Sequence, residues 1–269
     1  MGARASAGVE RRGVATSSLP RSRRDVGGSP RSSWRWYCVR RGGPEVRDPY
    51  SFNNLSTQSA GFRCESGTGR SVAEHELILA SGSPRRAQIL RELGFQFRVV
   101  PSPIEEPLGF ARPMSPAELA QALSVFKAEA VGASVREGLI LAADTVAAKD
   151  GEVFGKPSDR ADARRILQAL SGTRHEVHTG MTLLDARTGR RDTRVDTTAV
   201  VMRPLRSDEI ESYLDSEAWV GKAGAYGIQD HGDAFVERIE GSFSNVVGLS
   251  VELLRTMLKA FENAGRGDD

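Results

Sequence analysis

From Leu77 onward, short apolar runs alternate regularly with longer amphipathic stretches. Leu77–Ala80 predicts a strand, and Pro84–Leu93 a helix with Ile89, Leu90 and Leu93 turned inward. Phe95–Val100 predicts a second strand, followed by the Pro-rich, acidic loop Pro101–Pro107. Ser115-Pro116-Ala117-Glu118 has the form of a capping box with proline at the first helical position, and Leu119, Leu123, Phe126 and Ala130 then recur at helical spacing until Gly132. Leu139–Ala143 is a continuous apolar run of strand length, expected to be covered on both faces and closed by Asp144 and Thr145. Gly151 turns the chain, and Gly155-Lys156-Pro157-Ser158 leads into a helix over Arg160–Leu170 that Gly172 stops. Long strands are predicted over Val177–Leu184 and Thr193–Met202, joined at Thr188-Gly189, with Ser207 capping a helix through Leu214. Past the Gly-rich stretch Gly221–Gly227 come a strand over Ala234–Ile239 and a helix over Val251–Phe261, with Leu253, Leu254, Met257, Leu258 and Phe261 as its apolar stripe. Helices alternating with strands, plus a long hairpin, predict an α/β fold with a mixed sheet.

Composition divides the chain. The net charge of +2 hides an asymmetry: residues 1–73 hold thirteen Arg, no Lys and five acidic residues, which leaves the remainder net negative. This segment lacks the apolar periodicity that would cover the entropy of ordering it, and is read as a disordered extension. A transit peptide and a basic arm for nucleic acid, with Trp34, Trp36 and Tyr37 among the arginines, are the alternatives. The predicted organisation is thus an extension at 1–73, a folded domain at 74–263 and a disordered tail at 264–269. Both cysteines, Cys38 and Cys64, fall in the extension, which excludes a disulfide framework or a thiolate metal site from the folded part. No run approaches the ~18 apolar residues of a membrane helix, and a cytoplasmic protein without membrane contact is expected.

Candidate chemistry gathers around anions. Ala80-Ser81-Gly82-Ser83-Pro84-Arg85-Arg86 reads as a strand feeding a helix start, with Ser83 as N-cap and two guanidiniums where the helix dipole favours negative charge. Lys127 and Lys156 add cations, and Glu105, Glu106 and Asp144 add carboxylates of the kind that hold a hard divalent metal. Plain alternatives exist: Glu105-Glu106 as a solvated loop, Lys156 as a turn marker, Lys127 as a surface lysine. Asp144 resists such a reading, because a carboxylate at the end of an apolar strand needs a partner. His175, His178 and His231 show no metal-ligand spacing, and neither a P-loop nor a Gly-x-Ser-x-Gly elbow is present.

Together with Ala143-Asp144-Thr145-Val146, Gly155-Lys156-Pro157, Lys222-Ala223-Gly224-Ala225-Tyr226-Gly227-Ile228-Gln229 and Gly241-Ser242-Phe243-Ser244-Asn245-Val246-Val247-Gly248-Leu249, the opening motif resembles the Maf family of nucleoside triphosphate pyrophosphatases. The resemblance runs from about Leu77 to Phe261. It implies an elongated α/β fold with a central cleft, like that of the inosine triphosphate pyrophosphatases. It also implies a homodimer, as is common in the family, and hydrolysis of a nucleoside triphosphate to the monophosphate and pyrophosphate with Mg²⁺ or Mn²⁺. By the family's pattern Asp144 is the catalytic carboxylate, with Lys127 and Lys156 beside it and Glu105 sharing the metal with Asp144. Ser81, Arg85, Arg86 and Lys156 are implied on the phosphates, while Arg85, Thr145 and Gln229 match positions that distinguish subgroups. The pattern is that of the dTTP and UTP subgroup; a 7-methyl-GTP type and a nucleotide-binding regulator of septum formation are the alternatives. Two departures stand out: Asp230 follows Gln229 where many relatives have Gly, and Ser250 stands where Pro usually follows Gly-Leu.

Overall fold

The computed structural model describes residues 76–103, 113–229 and 232–264. The predicted extension at 1–73, the Glu105-Glu106 loop, His75, Asp230, His231 and the end of the predicted tail lie outside these residues. In chain order the elements are β1 (Leu77–Leu79), α1 (Pro84–Glu92), β2 (Phe97–Val99), α2 (Pro116–Gly132), β3 (Leu139–Lys149), β4 (Glu152–Phe154) and α3 (Arg160–Leu170). There follow β5 (Arg174–Asp185), β6 (Arg191–Met202), α4 (Ser207–Asp215), β7 (Val236–Glu240), α5 (Phe243–Val247) and α6 (Val251–Ala264). The strands form one mixed sheet in the order β2-β1-β3-β5-β6-β7, with β4 also on β3. β2, β1 and β3 run parallel; every other pair is antiparallel. None of the described helices is long and apolar enough to cross a membrane.

Alternation along the strands sorts the core into layers. Leu77, Leu79, Leu139, Leu141, Ala143, Met181 and Leu183 face one side and pack with α1 and α6 through Leu90, Leu254, Met257 and Phe261. Ile78, Ala80, Ile140, Ala142 and Leu184 face the other side, against Ala128 and Val131 of α2. A further cluster gathers α3 and α4 over Val177, Val200 and Met202.

The buried face of α2 differs from its predicted stripe. Ala120, Leu123, Ser124, Ala128 and Val131 are buried, whereas Leu119, Phe126 and Ala130 are half-buried. The cause is a close approach of helix and sheet: a Cβ at Gly180 of β5 would sit 2.1 Å from the Ala120 carbonyl oxygen. Small residues therefore occupy the contact, and the helix rotates toward them. The rotation brings Lys127 to the sheet side.

β3 is the second correction. Asp144 and Thr145 do not close it; the strand continues to Lys149, registered with β5 from Leu139↔Asp185 to Ala148↔Glu176. Its other edge is shared. β1 pairs at Leu139–Leu141 and β4 at Ala147–Lys149, so the stretch around Asp144 and Thr145 lies in a gap between two short strands.

Smaller differences have local reasons. Ser207 is the first residue of α4 rather than its cap, because Arg206 holds the cap position and its N–H donates to the Glu209 carboxylate at 2.9 Å. Ser83 holds the cap position of α1 in extended conformation but makes no side-chain cap bond. The β2 and β7 spans are Phe97–Val99 and Val236–Glu240, while β5 and β6 begin earlier than predicted, at Arg174 and Arg191. Ser250 offsets the missing proline by capping: its Oγ accepts the Leu253 N–H (3.2 Å) and its carbonyl the Leu254 N–H (2.9 Å).

Candidate active site

The gap in β3 opens into a cavity of about 1050 Å³. Asp144 and Thr145, being neighbours on a strand, point to opposite faces of the sheet, yet both line this cavity because no strand covers that edge. Ser81, Arg85, Arg86, Lys127, Lys156 and Gln229 line it as well. The structure thus gathers, from five separate stretches of chain, eight of the nine residues to which the resemblance gives a role, and the ninth, Glu105, lies outside the described residues with Glu106.

On the α2 side, the Lys127 ammonium forms an ion pair with Asp144 Oδ1. Asp144 is buried and the Lys127 side chain only 14% exposed, so each supplies the charge that offsets the other's loss of water. Lys156 follows β4 and is exposed at the rim. The described lining holds one carboxylate, that of Asp144, and no group of three or more His, Cys, Asp or Glu converges among the described residues. Such a donor set suits a hard cation of the Mg²⁺ kind, which takes one or two carboxylates and completes its shell with water and phosphate oxygens.

On the α1 side, Arg86 is the organiser. Its Nε donates to the Gly248 carbonyl (2.8 Å), Nη1 to Ser81 Oγ (2.9 Å) and Nη2 to Thr145 Oγ1 (3.1 Å). These bonds tie α1, the β1–α1 turn, β3 and the end of α5 into one wall. The Ser81 oxygen also accepts the Ser83 N–H at 3.3 Å, so both lone pairs are engaged and the hydroxyl hydrogen is what Ser81 has to offer a ligand.

The third wall is the segment Lys222–Gln229, from which sequence reasoning singled out Gln229 alone. Lys222 is buried, with its ammonium donating to the Ala218 carbonyl, and its methylenes cross Gly227 where a Cβ would sit 2.8 Å from Cδ and Cε. Tyr213 of α4 accepts the Gly227 N–H on its hydroxyl (3.1 Å). Tyr226 is buried and its hydroxyl meets His175 Nε2 at 2.8 Å, with the rings edge to face. Burial pushes the His175 imidazole down to about 4 and raises the Tyr226 phenol, which keeps both neutral. His175 therefore supports the wall from behind without reaching the cavity, and His178, bonded to Thr197 at 2.9 Å, lies outside the lining. The sequence carries Lys222 and the small residues after it as one of the motifs of the resemblance, but gives Lys222 no role.

Residues 76–261 match the Maf-like protein family. Among similar proteins, the dTTP/UTP pyrophosphatase of Carboxydothermus hydrogenoformans is 46% identical over 184 residues, covering 68% of this chain and 97% of that protein. The dTTP/UTP pyrophosphatase of Salinibacter ruber is 46% identical over 185 residues, 68% of this chain and 90% of its own length. That of Bdellovibrio bacteriovorus is 42% identical over 196 residues, covering 69% and 98% respectively. The family match takes in all three walls of the cavity, and the chain belongs to the Maf-like protein family.

Proposed function

We propose that this protein hydrolyses dTTP and UTP to the nucleoside monophosphate and pyrophosphate. The observation that carries the proposal is the arrangement across the cavity: a buried carboxylate paired with an ammonium on one side, a guanidinium-organised wall of donors on the other. The names of the similar proteins support the choice of substrate.

Arg85, Arg86 and Lys156 neutralise the phosphates, and the Ser81 hydroxyl donates to a phosphate oxygen. Asp144 orients a water toward the α-phosphorus and takes its proton as the new P–O bond forms and the bond to the bridging α–β oxygen breaks. Lys127 fixes the direction of the Asp144 carboxylate through their ion pair. A divalent cation would be held by Asp144, with Glu105 expected as a second ligand, and would supply further neutralisation of the phosphate charge. Gln229, with both a donor and an acceptor on its amide, faces the base.

Pyrophosphate release from a panel of triphosphates that includes dTTP, UTP, ATP, GTP and 7-methyl-GTP, with and without added Mg²⁺ or Mn²⁺, tests the proposal. Cleavage of dTTP and UTP ahead of the rest, abolished by EDTA, is the expected result. Absence of pyrophosphate from both, or a preference for 7-methyl-GTP, overturns it.

A further inference from the structure

A chain of hydroxyls runs under the cavity from α1 through the sheet to α5. Arg86 Nη2 donates to Thr145 Oγ1 (3.1 Å), Thr145 Oγ1 lies 2.9 Å from Thr179 Oγ1, and Thr179 Oγ1 donates to the Asn245 carbonyl (3.1 Å). The middle contact could run either way, but its two ends decide it. A guanidinium can only donate and a backbone carbonyl can only accept. Thr179 has one hydroxyl hydrogen and directs it at Asn245, so Thr179 must accept from Thr145. The Thr145 hydrogen is thereby turned into the protein, and Arg86 occupies one of its two lone pairs. What Thr145 has left for a ligand is a single acceptor position.

Ser81 has the opposite polarity. Its oxygen accepts from both the Ser83 N–H and Arg86 Nη1, which leaves it a donor. One guanidinium, together with one buried threonine, therefore gives two hydroxyls of the same cavity opposite roles. The arrangement is fixed from below. Thr179 and Asn245 are fully buried, and the Asn245 amide donates to the Val177 carbonyl and to Thr198 Oγ1, each at 3.0 Å.

We propose that Thr179 is a specificity-determining positioning residue: by fixing Thr145 as an acceptor, it makes the cavity select a pyrimidine that presents a ring N–H. Thymine and uracil carry that hydrogen at N3, whereas N3 of cytosine is itself an acceptor. A hydroxyl free to rotate would serve either base; one held by Thr179 faces cytosine with two acceptors and no hydrogen between them. The inference rests on the pyrimidine triphosphate reading above and sharpens it to the imino group that dTTP and UTP share.

The test compares kcat/KM for UTP and CTP, measured by pyrophosphate release. The wild type is expected to prefer UTP. Thr179→Val keeps the shape of the side chain but frees the Thr145 hydroxyl, and should lower the UTP-to-CTP ratio at least about tenfold with little change in kcat on UTP. Thr179→Ser, which restores the hydroxyl, should return the ratio to the wild-type value. Should Thr179→Val fail to fold, as judged by its melting transition, Thr145→Val removes the acceptor itself and should lower the same ratio. A folded Thr179→Val, or in its place Thr145→Val, that keeps the wild-type ratio overturns the inference. So does a wild type that cleaves UTP and CTP equally well, a result that leaves the pyrophosphatase reading standing. A wild type that cleaves neither UTP nor dTTP overturns both.

Discussion

Two helices of this protein open on the same dipeptide and end up doing different things. α2 begins at Ser115-Pro116 and closes its own N-terminus: Ser115 Oγ accepts the Glu118 N–H, and Glu118 Oε2 accepts the Ser115 N–H at 2.8 Å. α1 begins at Ser83-Pro84 with the same extended cap residue, yet no side chain caps it and no acidic residue stands in its first turn. Arg86 stands at the third helical position, where α2 has Glu118, and Arg85 precedes it. The first helix start is completed within the chain, on the surface; the second is shaped for something outside the chain. A capping motif thus separates structure from binding only when its third helical position is read as well.

If the α1 start serves binding and the carboxylate across from it serves turnover, the two must come apart under mutation. Asp144→Asn should lower kcat about 10²-fold or more while KM changes little, and it should also lower the melting temperature, because the buried Lys127 ammonium loses the Asp144 charge that offsets its burial. A loss of binding on the same scale would put Asp144 on the wrong side of the comparison. Arg86→Lys keeps the charge but loses the fork that joins Ser81, Thr145 and Gly248, and should cost about 10- to 100-fold in kcat/KM. Ser83→Asp makes α1 resemble α2 by adding a capping carboxylate. KM for the triphosphate should rise about tenfold while the melting temperature holds or rises slightly. The reciprocal change has the smallest effect: Glu118→Ala should destabilise by about 0.5–1 kcal/mol in a denaturant melt and leave KM untouched. If Glu118→Ala shifts KM, the two helix starts are not separable.

Much of this was legible in the chain. The layers of the sheet follow from the alternation of Leu77, Ile78 and Leu79 and of Leu139, Ile140 and Leu141, and the long hairpin from its β-branched runs. The misreading of β3 has one cause. Asp144 and Thr145 look like a strand end because polar residues inside a buried strand need partners, and those partners, Lys127 and Thr179, are distant in sequence. Periodicity cannot report a partner supplied by another element. The α2 stripe failed for a related reason, since the approach of its backbone to Gly180 favoured small residues over large ones. β4 and α5 are too short for a period to register, although α5 and the Gly248 that caps its end carry the carbonyls on which Thr179 and Arg86 depend. The candidate residues that line the cavity were picked out by type and motif, but the bonds that set their direction were not.

The shared edge of β3 also bears on the order in which the protein becomes itself. β1 and β2 are three residues each, and strands so short do not stand without a neighbour. They precede the other strands in the chain, with Ser81, Arg85 and Arg86 in the turn and helix between them, but must wait for β3. β3 in turn is held along its length by β5, and β5 by β6, in pairings that span less chain than the one joining β1 to β3. Local pairings close sooner. The binding wall is thus encoded early and finished late, and substitutions that slow the β5–β6 hairpin should delay the recovery of nucleotide binding during refolding.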